Sequence, residues 1–217
     1  MGLNLDNLQP TKNTSNRVAD AVRAAILQGK IKVGDALRQD VIASELEVSK
    51  IPVREALVQL QAEGLVNLIP SRGAIVRGLS AHEIAEIYEM RLALEPLALR
   101  KAVSSLRDAD FVDIDYVLGR IDHASDWTRW AELNWEFHEA LYRSSGMDLL
   151  VQTAKFLHNN VTRFIGPTLL TQEYLKNSQQ QHRKIVEHCR KGDVDAACVE
   201  LIHHLGDAKV TLESESE

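Results

Sequence analysis

Ser49-Lys-Ile-Pro-Val-Arg-Glu-Ala-Leu-Val-Gln-Leu-Gln-Ala-Glu-Gly-Leu-Val-Asn-Leu-Ile-Pro-Ser-Arg-Gly73 is the stretch whose reading decides the fold. Ser49 is a natural N-cap, Pro52 lies in the first turn where a missing N–H costs little, and Gly64 supplies the left-handed conformation that ends a helix. These signals predict one short helix over Lys50 to Glu63. Val53, Ala56, Leu57 and Leu60 recur at helical spacing and bury one face, which leaves Lys50, Ile51 and Arg54 together on the exposed N-terminal part. A small helix with a cationic leading end is what the major groove of DNA accepts. Beyond Gly64, the runs Leu65 to Ile69 and Ala74 to Val76 read as two short strands joined by Pro70-Ser71-Arg72-Gly73, a wing with Arg72 at its tip.

Upstream of this stretch, residues 1–13 are polar without a sustained period and read as a mobile arm. Thr14 or Ser15 caps a first helix running to Gln28, with Val18, Val22, Ala25 and Ile26 inward and Gly29 ending it. Ile31 to Asp35 is a turn with a short apolar plug. Arg38 to Glu47 makes a second helix with Val41, Ile42 and Leu46 inward, and Glu47-Val48 is the tight turn before the third. Two short helices joined this way and followed by a hairpin make a winged helix-turn-helix over residues 14–78.

The chain has 217 residues, enough for one large domain or two modest ones, and its 45% hydrophobic and 26% charged residues are ordinary for a globular protein. No apolar run approaches the roughly 20 residues of a membrane span, and the N-terminus lacks the pattern of a signal peptide, so a cytoplasmic protein without a membrane partner is expected. Cys189 and Cys198 fit neither a disulfide framework nor a paired zinc motif and read as buried thiols. The formal net charge of −6 is unevenly spread. Up to Gly78 there are ten Lys/Arg and eight Asp/Glu; beyond it, fifteen and twenty-three. A locally basic face on the first part suffices for phosphate contact, because salt screens the acidic remainder.

Gly34-Asp-Ala-Leu37, Ser49 to Leu57, Ala62-Glu-Gly-Leu-Val66 and Arg72-Gly73 together resemble the DNA-binding domain of the GntR family of bacterial transcription factors. The resemblance covers residues 14–78, and Pro52-Val-Arg-Glu-Ala-Leu57 with Glu63-Gly-Leu-Val66 carries most of its specificity. It implies that Ser49, Lys50, Ile51 and Arg54 lie against the major groove and phosphates of an operator, with Arg72 and Gly73 near the minor groove. Two positions depart from the family pattern. Glu47 stands where glycine is usual, so a non-glycine residue must make the turn between helices. Lys50 stands where arginine is usual, which replaces a bidentate fork by a point charge.

From Ser80 onward helical patterns dominate. Ser80-Ala-His-Glu83 is a capping box opening a helix that Pro96 should kink or interrupt before it resumes to about Ser104. Further helices are predicted over about 108–124, 126–145, 147–165, 168–191 and 193–213, with breaks at Ser145-Gly146, Gly166-Pro167 and Gly192-Asp193. The fold class is therefore mainly α: an N-terminal winged helix-turn-helix and a C-terminal all-α six-helix bundle over residues 80–213.

Asn134 and His138, four apart, share a helix face. His182 lies ten residues before Gly192 and His204 twelve after it, so in an antiparallel hairpin rising ~1.5 Å per residue they stand at nearly the same height. Together the four make an N3O cluster, and three imidazoles suit zinc, nickel or another first-row divalent ion. Asn134-Trp-Glu-Phe-His138, Gln181-His-Arg-Lys-Ile185 with Gly192-Asp193, and His203-His204-Leu205 are similar to the FCD ligand-binding domain of the FadR branch, and the six-helix count to its VanR-like subgroup. That resemblance implies a divalent metal held by an aspartate and three histidines, with an organic-acid effector completing the coordination. Asn134 stands where the aspartate is expected, so a bound dication keeps one more unit of charge. His203, about 100° round the helix from His204, reads as outer shell or surface. Arg91 and Arg163 are candidates for bidentate contact with an effector carboxylate.

The expected protein is thus a homodimeric regulator with operator DNA and a small organic acid as partners, its recognition helices spaced ~34 Å apart. A metal-dependent hydrolase is the alternative. Its base would be Glu136 or Glu139, and neither is well placed from a helix that carries His138.

Overall fold

The computed structural model describes residues 14–70, 72–162 and 171–214. The chain divides into two compact units, Met1–Gly78 and Leu79–Glu217. The first contains α1 (Thr14–Leu27), β1 (Ala36–Arg38), α2 (Gln39–Glu45), α3 (Lys50–Ala62), β2 (Val66–Ile69) and β3 (Gly73–Val76). Strands β2 and β3 form the expected antiparallel hairpin, and β1 adds to its other side to give the order β1-β3-β2. A strand of three residues is too short to show alternation; Arg38, where the predicted second helix begins, belongs to β1, and α2 ends at Glu45 instead of Glu47. Val18, Val22 and Ile26 of α1 pack with Val53, Ala56, Leu57 and Leu60 of α3 and with Leu37, Leu65, Ala74 and Val76 around the sheet. Arg23 donates from Nε and Nη2 to the two carboxylate oxygens of Glu63, both at 2.7 Å, and so ties α1 to the end of α3.

Three local expectations need correction. Val41 and Leu46 are 45% and 40% exposed, because α2 is only two turns long and buries Ile42 and Ala43 instead. Ala25 is half-buried, and Ala19 takes its place inside. Ser49 has the extended N-cap backbone, yet its hydroxyl makes no cap hydrogen bond. The other end of α3 follows the prediction: Gly64 has φ 74°, and Leu65 N–H donates to Leu60 O at 2.9 Å, which closes a Schellman-type end.

Among its described residues the second unit contains six α-helices: α4 (Ala81–Val103), α5 (Asp108–Asp122), α6 (Trp127–Tyr142), α7 (Asp148–Thr162), α8 (Gln172–Arg190) and α9 (Val194–Ser214), with a 3-10 turn at Arg143–Ser145. Helix α9 packs against both α4 and α8. The capping box at Ser80 and Glu83 is formed, and Thr171 caps α8 by accepting from Tyr174 N–H. The predicted break at Gly166-Pro167 lies outside the described residues. Pro96 does not interrupt α4. Glu95, Ala98, Leu99 and Ala102 around it are all fully buried, and that packing outweighs one lost helix bond. The Pro96 carbonyl also accepts from Cys198 Sγ at 3.5 Å. Cys189 and Cys198 are both free and buried, as expected.

Two backbone positions in the first unit give opposite predictions. Gly73 has φ 125°, and a Cβ there would meet the Leu37 carbonyl oxygen at 2.0 Å, inside the β1–β3 pairing. Gly73→Ala should cost at least about 2 kcal/mol. Glu47 has φ 53°, in the left-handed region that a non-glycine residue occupies at a cost of roughly 1–2 kcal/mol. Glu47→Gly relieves that strain and gives back some of it as unfolded-chain entropy, a net gain of about 0.5–1 kcal/mol. Urea unfolding of the two variants beside the parent chain measures both signs.

Candidate functional site

Five of the six residues predicted to face DNA are exposed at one end of α3 and on the wing. Ser49, Lys50, Ile51, Arg54 and Arg72 are solvent-exposed, Ile51 at 71%. Among the described residues Lys50, Arg54 and Arg72 have no ion pair, which leaves three cations uncompensated for phosphate. Gly73 differs: it is buried, and its lack of a Cβ lets β3 approach β1.

In the helical unit, α6 supplies Asn134 and His138, α8 His182, and α9 His204; all four are buried, His138 and His182 completely. One nitrogen from each histidine lies within 4.8 Å of the others. The hydrogen bonds behind the rings decide which nitrogen. Gln179 donates its amide N–H groups to Leu118 O at 2.9 Å and Asp122 Oδ1 at 3.0 Å, so its oxygen faces His182 Nδ1 at 3.0 Å and Nδ1 must carry the proton. Gln181 donates to Asp207 Oδ2 at 2.6 Å, so its oxygen accepts from His204 Nδ1 at 3.0 Å. Tyr142 donates its hydroxyl to Glu95 Oε2 at 2.7 Å and therefore accepts from His138 Nδ1 at 3.0 Å. Every Nε2 is left as a bare lone pair.

Two of these lone-pair atoms, on His182 and His204, stand 3.3 Å apart, and His138 Nε2 and Asn134 Oδ1 have no hydrogen-bond partner. Like lone pairs at that distance repel unless a cation lies between them. Two nitrogens each ~2.0–2.1 Å from a tetrahedral zinc ion would be roughly 3.3–3.4 Å apart, so the observed separation fits the metal. Protonation is the other way to relieve the repulsion, and burial opposes it. Burial first, then the neighbouring imidazoles, holds His138 well below the ordinary histidine value; the same holds for His182. Burial, followed by Arg91, lowers His204 to about 3.

Arg91 is buried rather than offered to solvent. Its Nε donates to Glu95 Oε1 at 2.6 Å, which makes a chain Arg91–Glu95–Tyr142–His138 behind the cluster. Burial disfavours the guanidinium charge, but Glu95 outweighs it and Arg91 stays above its ordinary value. Arg91 also lines a small cavity of about 30 Å³ with Tyr88, Trp127, Trp130, Asn134, His158 and His204. Arg163 lies outside the described residues. His203 is exposed and touches the Gln181 amide, an outer position as expected. Glu136 pairs with Arg120 at 2.7 Å and Glu139 with Lys155 at 3.5 Å, so neither serves the cluster as a base. Sequence reasoning missed Glu95, Tyr142, Gln179, Gln181 and His158. The first four stand three or four residues from Arg91, His138 or His182, or next to His182, and that spacing was the available signal.

A model of the FCD domain matches residues 86–207, and one of the gntR family of bacterial regulatory proteins matches residues 14–76. The chain belongs to the GntR family. It is 34% identical over 147 residues to the gluconate operon transcriptional repressor of Bacillus subtilis, covering 64% of this chain and 60% of that protein. It is 28% identical over 179 residues to the repressor of the same name from Bacillus licheniformis, covering 81% and 72%. Among solved structures, a GntR transcriptional regulator from Rhodococcus sp. RHA1 aligns with a TM-score of 0.69 at 25% identity, covering 91% and 96% of the two chains. Escherichia coli McbR/YncC aligns with a TM-score of 0.70 at 21% identity over 94% and 99%, which shows the shared fold. The family is one of regulators and not of enzymes, and nothing favours the hydrolase alternative. Among the described residues no helix is long and apolar enough to cross a membrane.

The buried histidines give this GntR-family chain a pH signature when it carries no metal. An unfolded histidine binds a proton below about pH 6.5, whereas folded His204 does not until about pH 3. Between those values the unfolded state holds more protons, so stability is complete above pH 6.5 and falls as the pH drops toward 3. Each such group contributes a slope of about 1.4 kcal/mol per pH unit there. Urea midpoints of chelator-treated protein should stay level from pH 7.5 to about 6.5 and fall from there to pH 5, and added zinc at pH 7.5 should raise them.

Proposed function

We propose that this chain is a DNA-binding transcriptional repressor, working as a homodimer, whose operator affinity is set by a small organic acid bound beside a divalent metal in the helical unit. The observation that carries the ligand-binding half is the convergence of three deprotonated Nε2 atoms, each with its tautomer fixed from behind. His138, His182 and His204 would hold the ion, with the Asn134 amide oxygen as a weaker fourth donor. A bound dication would supply positive charge beside a neutral Arg91–Glu95 pair, and so favours an anionic ligand. The donor set suits zinc or nickel, since imidazole is a good ligand for both. The repressor sense is supported by the Bacillus gluconate operon repressors to which the chain is similar.

On the DNA side, Lys50, Arg54 and Arg72 supply the exposed cations, and Arg54 has the planar fork that reads a guanine edge. Lys50 gives a point charge in a position that sets strength more than sequence. Arg54→Ala should relax discrimination at one base pair by roughly 1–3 kcal/mol, whereas Lys50→Ala should lower the slope of log K against log salt by about 1. Fluorescence anisotropy on paired palindromic half-sites at several salt concentrations measures both. Absence of any sequence-selective binding would sink the reading.

The metal is tested separately. Native mass spectrometry with elemental analysis should find a dimer carrying one divalent ion per chain. Tyr142→Phe removes the acceptor that fixes the His138 tautomer and should weaken zinc binding about 10–100-fold in a chelator competition. Asn134→Asp should strengthen it, because a carboxylate replaces a neutral amide.

A further inference from the structure

The exposed face of α3 carries one group that phosphate contact does not use. Lys50 and Arg54 are cations, and a phosphate oxygen suits either, but Ile51 between them is a hydrocarbon with 71% of its surface in water. A single exposed isoleucine is ordinary on a protein surface, so exposure alone decides nothing. Its position decides more. Ile51 stands in the first turn of α3, just behind Ser49 at the N-cap, and a recognition helix meets base edges with its N-terminal residues. Because Val53, Ala56, Leu57 and Leu60 face the core, Ile51, Arg54 and Glu55 are turned outward together. Val58 lies on the same outward stripe but seven residues on, about 10 Å further along the axis.

The side chain is also stiff. Branching at Cβ holds an isoleucine in a helix close to one χ1 rotamer, and Pro52 restrains the backbone of the residue before it. Ile51 therefore loses little freedom on docking, whereas Lys50 and Arg54 each give up several rotatable bonds.

What such a group can recognise follows from the atoms that bases present in the major groove. Guanine shows two acceptors, adenine an acceptor and an amino group, and cytosine an amino group; thymine alone adds an apolar group, its 5-methyl. An isoleucine pressed on any of the first three strips water from polar atoms and returns no hydrogen bond. Pressed on the thymine methyl, it removes apolar surface from water on both sides of the contact.

We propose that Ile51 selects thymine through its 5-methyl group, at one fixed position in each half-site of the operator. The inference rests on the reading of the protein as a homodimeric operator-binding repressor, and it adds the base and the atom that this residue recognises. One methyl buried in the contact corresponds to about three- to fivefold in affinity.

The test uses the full-length protein, which first selects duplexes from a random library. Anisotropy titrations then compare the selected operator with versions in which each thymine in turn is replaced by deoxyuridine, a change that keeps the base pair and removes only the methyl. At one thymine per half-site the replacement should weaken binding about three- to fivefold for the parent chain and for Ile51→Val, and less than about 1.5-fold for Ile51→Ala. Val58→Ala should leave the parent pattern unchanged. Urea midpoints verify that each variant, altered only at an exposed position, keeps its fold. A uracil effect that survives in Ile51→Ala overturns the inference and leaves the DNA-binding reading standing. So does the absence of any thymine whose methyl matters, even where Ile51→Ala weakens binding, since that result puts the side chain against the sugar-phosphate backbone. Selection of no duplex at all overturns both.

Discussion

Three imidazole nitrogens without protons are held within 4.8 Å of one another in an interior that water scarcely reaches, and much of the helical unit serves to keep them there. Lone pairs in that arrangement repel, and the usual release, protonation of one ring, is closed off by burial. The remaining release is a cation. What makes the constraint firm is that each ring is fixed by a partner which is itself fixed. Gln179 is anchored on α5 through Leu118 O and Asp122, Gln181 on α9 through Asp207, and Tyr142 on α4 through Glu95. Helices α4, α5 and α9 do the orienting for rings on α6, α8 and α9.

The buried Arg91–Glu95 pair has its place in the same scheme. A buried ion pair is weak evidence for stability, since removing both charges from water costs about as much as their attraction returns. Here Glu95 has a second task. One carboxylate oxygen takes the Arg91 Nε–H and the other takes the Tyr142 hydroxyl, so the same group neutralises the guanidinium and sets the direction of the hydrogen bond that reaches His138. A neutral glutamine in its place could accept one of these bonds but would present an amide N–H to the other donor. The charge is retained because the chain of donors demands an acceptor at both ends.

Much of this was legible in the sequence, and the parts that were not share a cause. The wing, the end of α3 at Gly64 and the strained turn at Glu47 are local events written in single residues, and they stand where they were read. The meeting of His182 and His204 followed from counting residues on either side of Gly192, because a tight antiparallel hairpin fixes height by rise alone. Strand β1 escaped because its pairing is non-local and three residues carry no period. Gly73 is expected near DNA from the family resemblance alone, and its structural constraint, the Leu37 carbonyl 36 positions back in the chain, is a non-local contact that no local pattern announces. The second layer behind the histidines escaped for a different reason. Gln179, Gln181 and Tyr142 are residue types that usually face solvent or pack without comment, and only their partners on other helices give them a role.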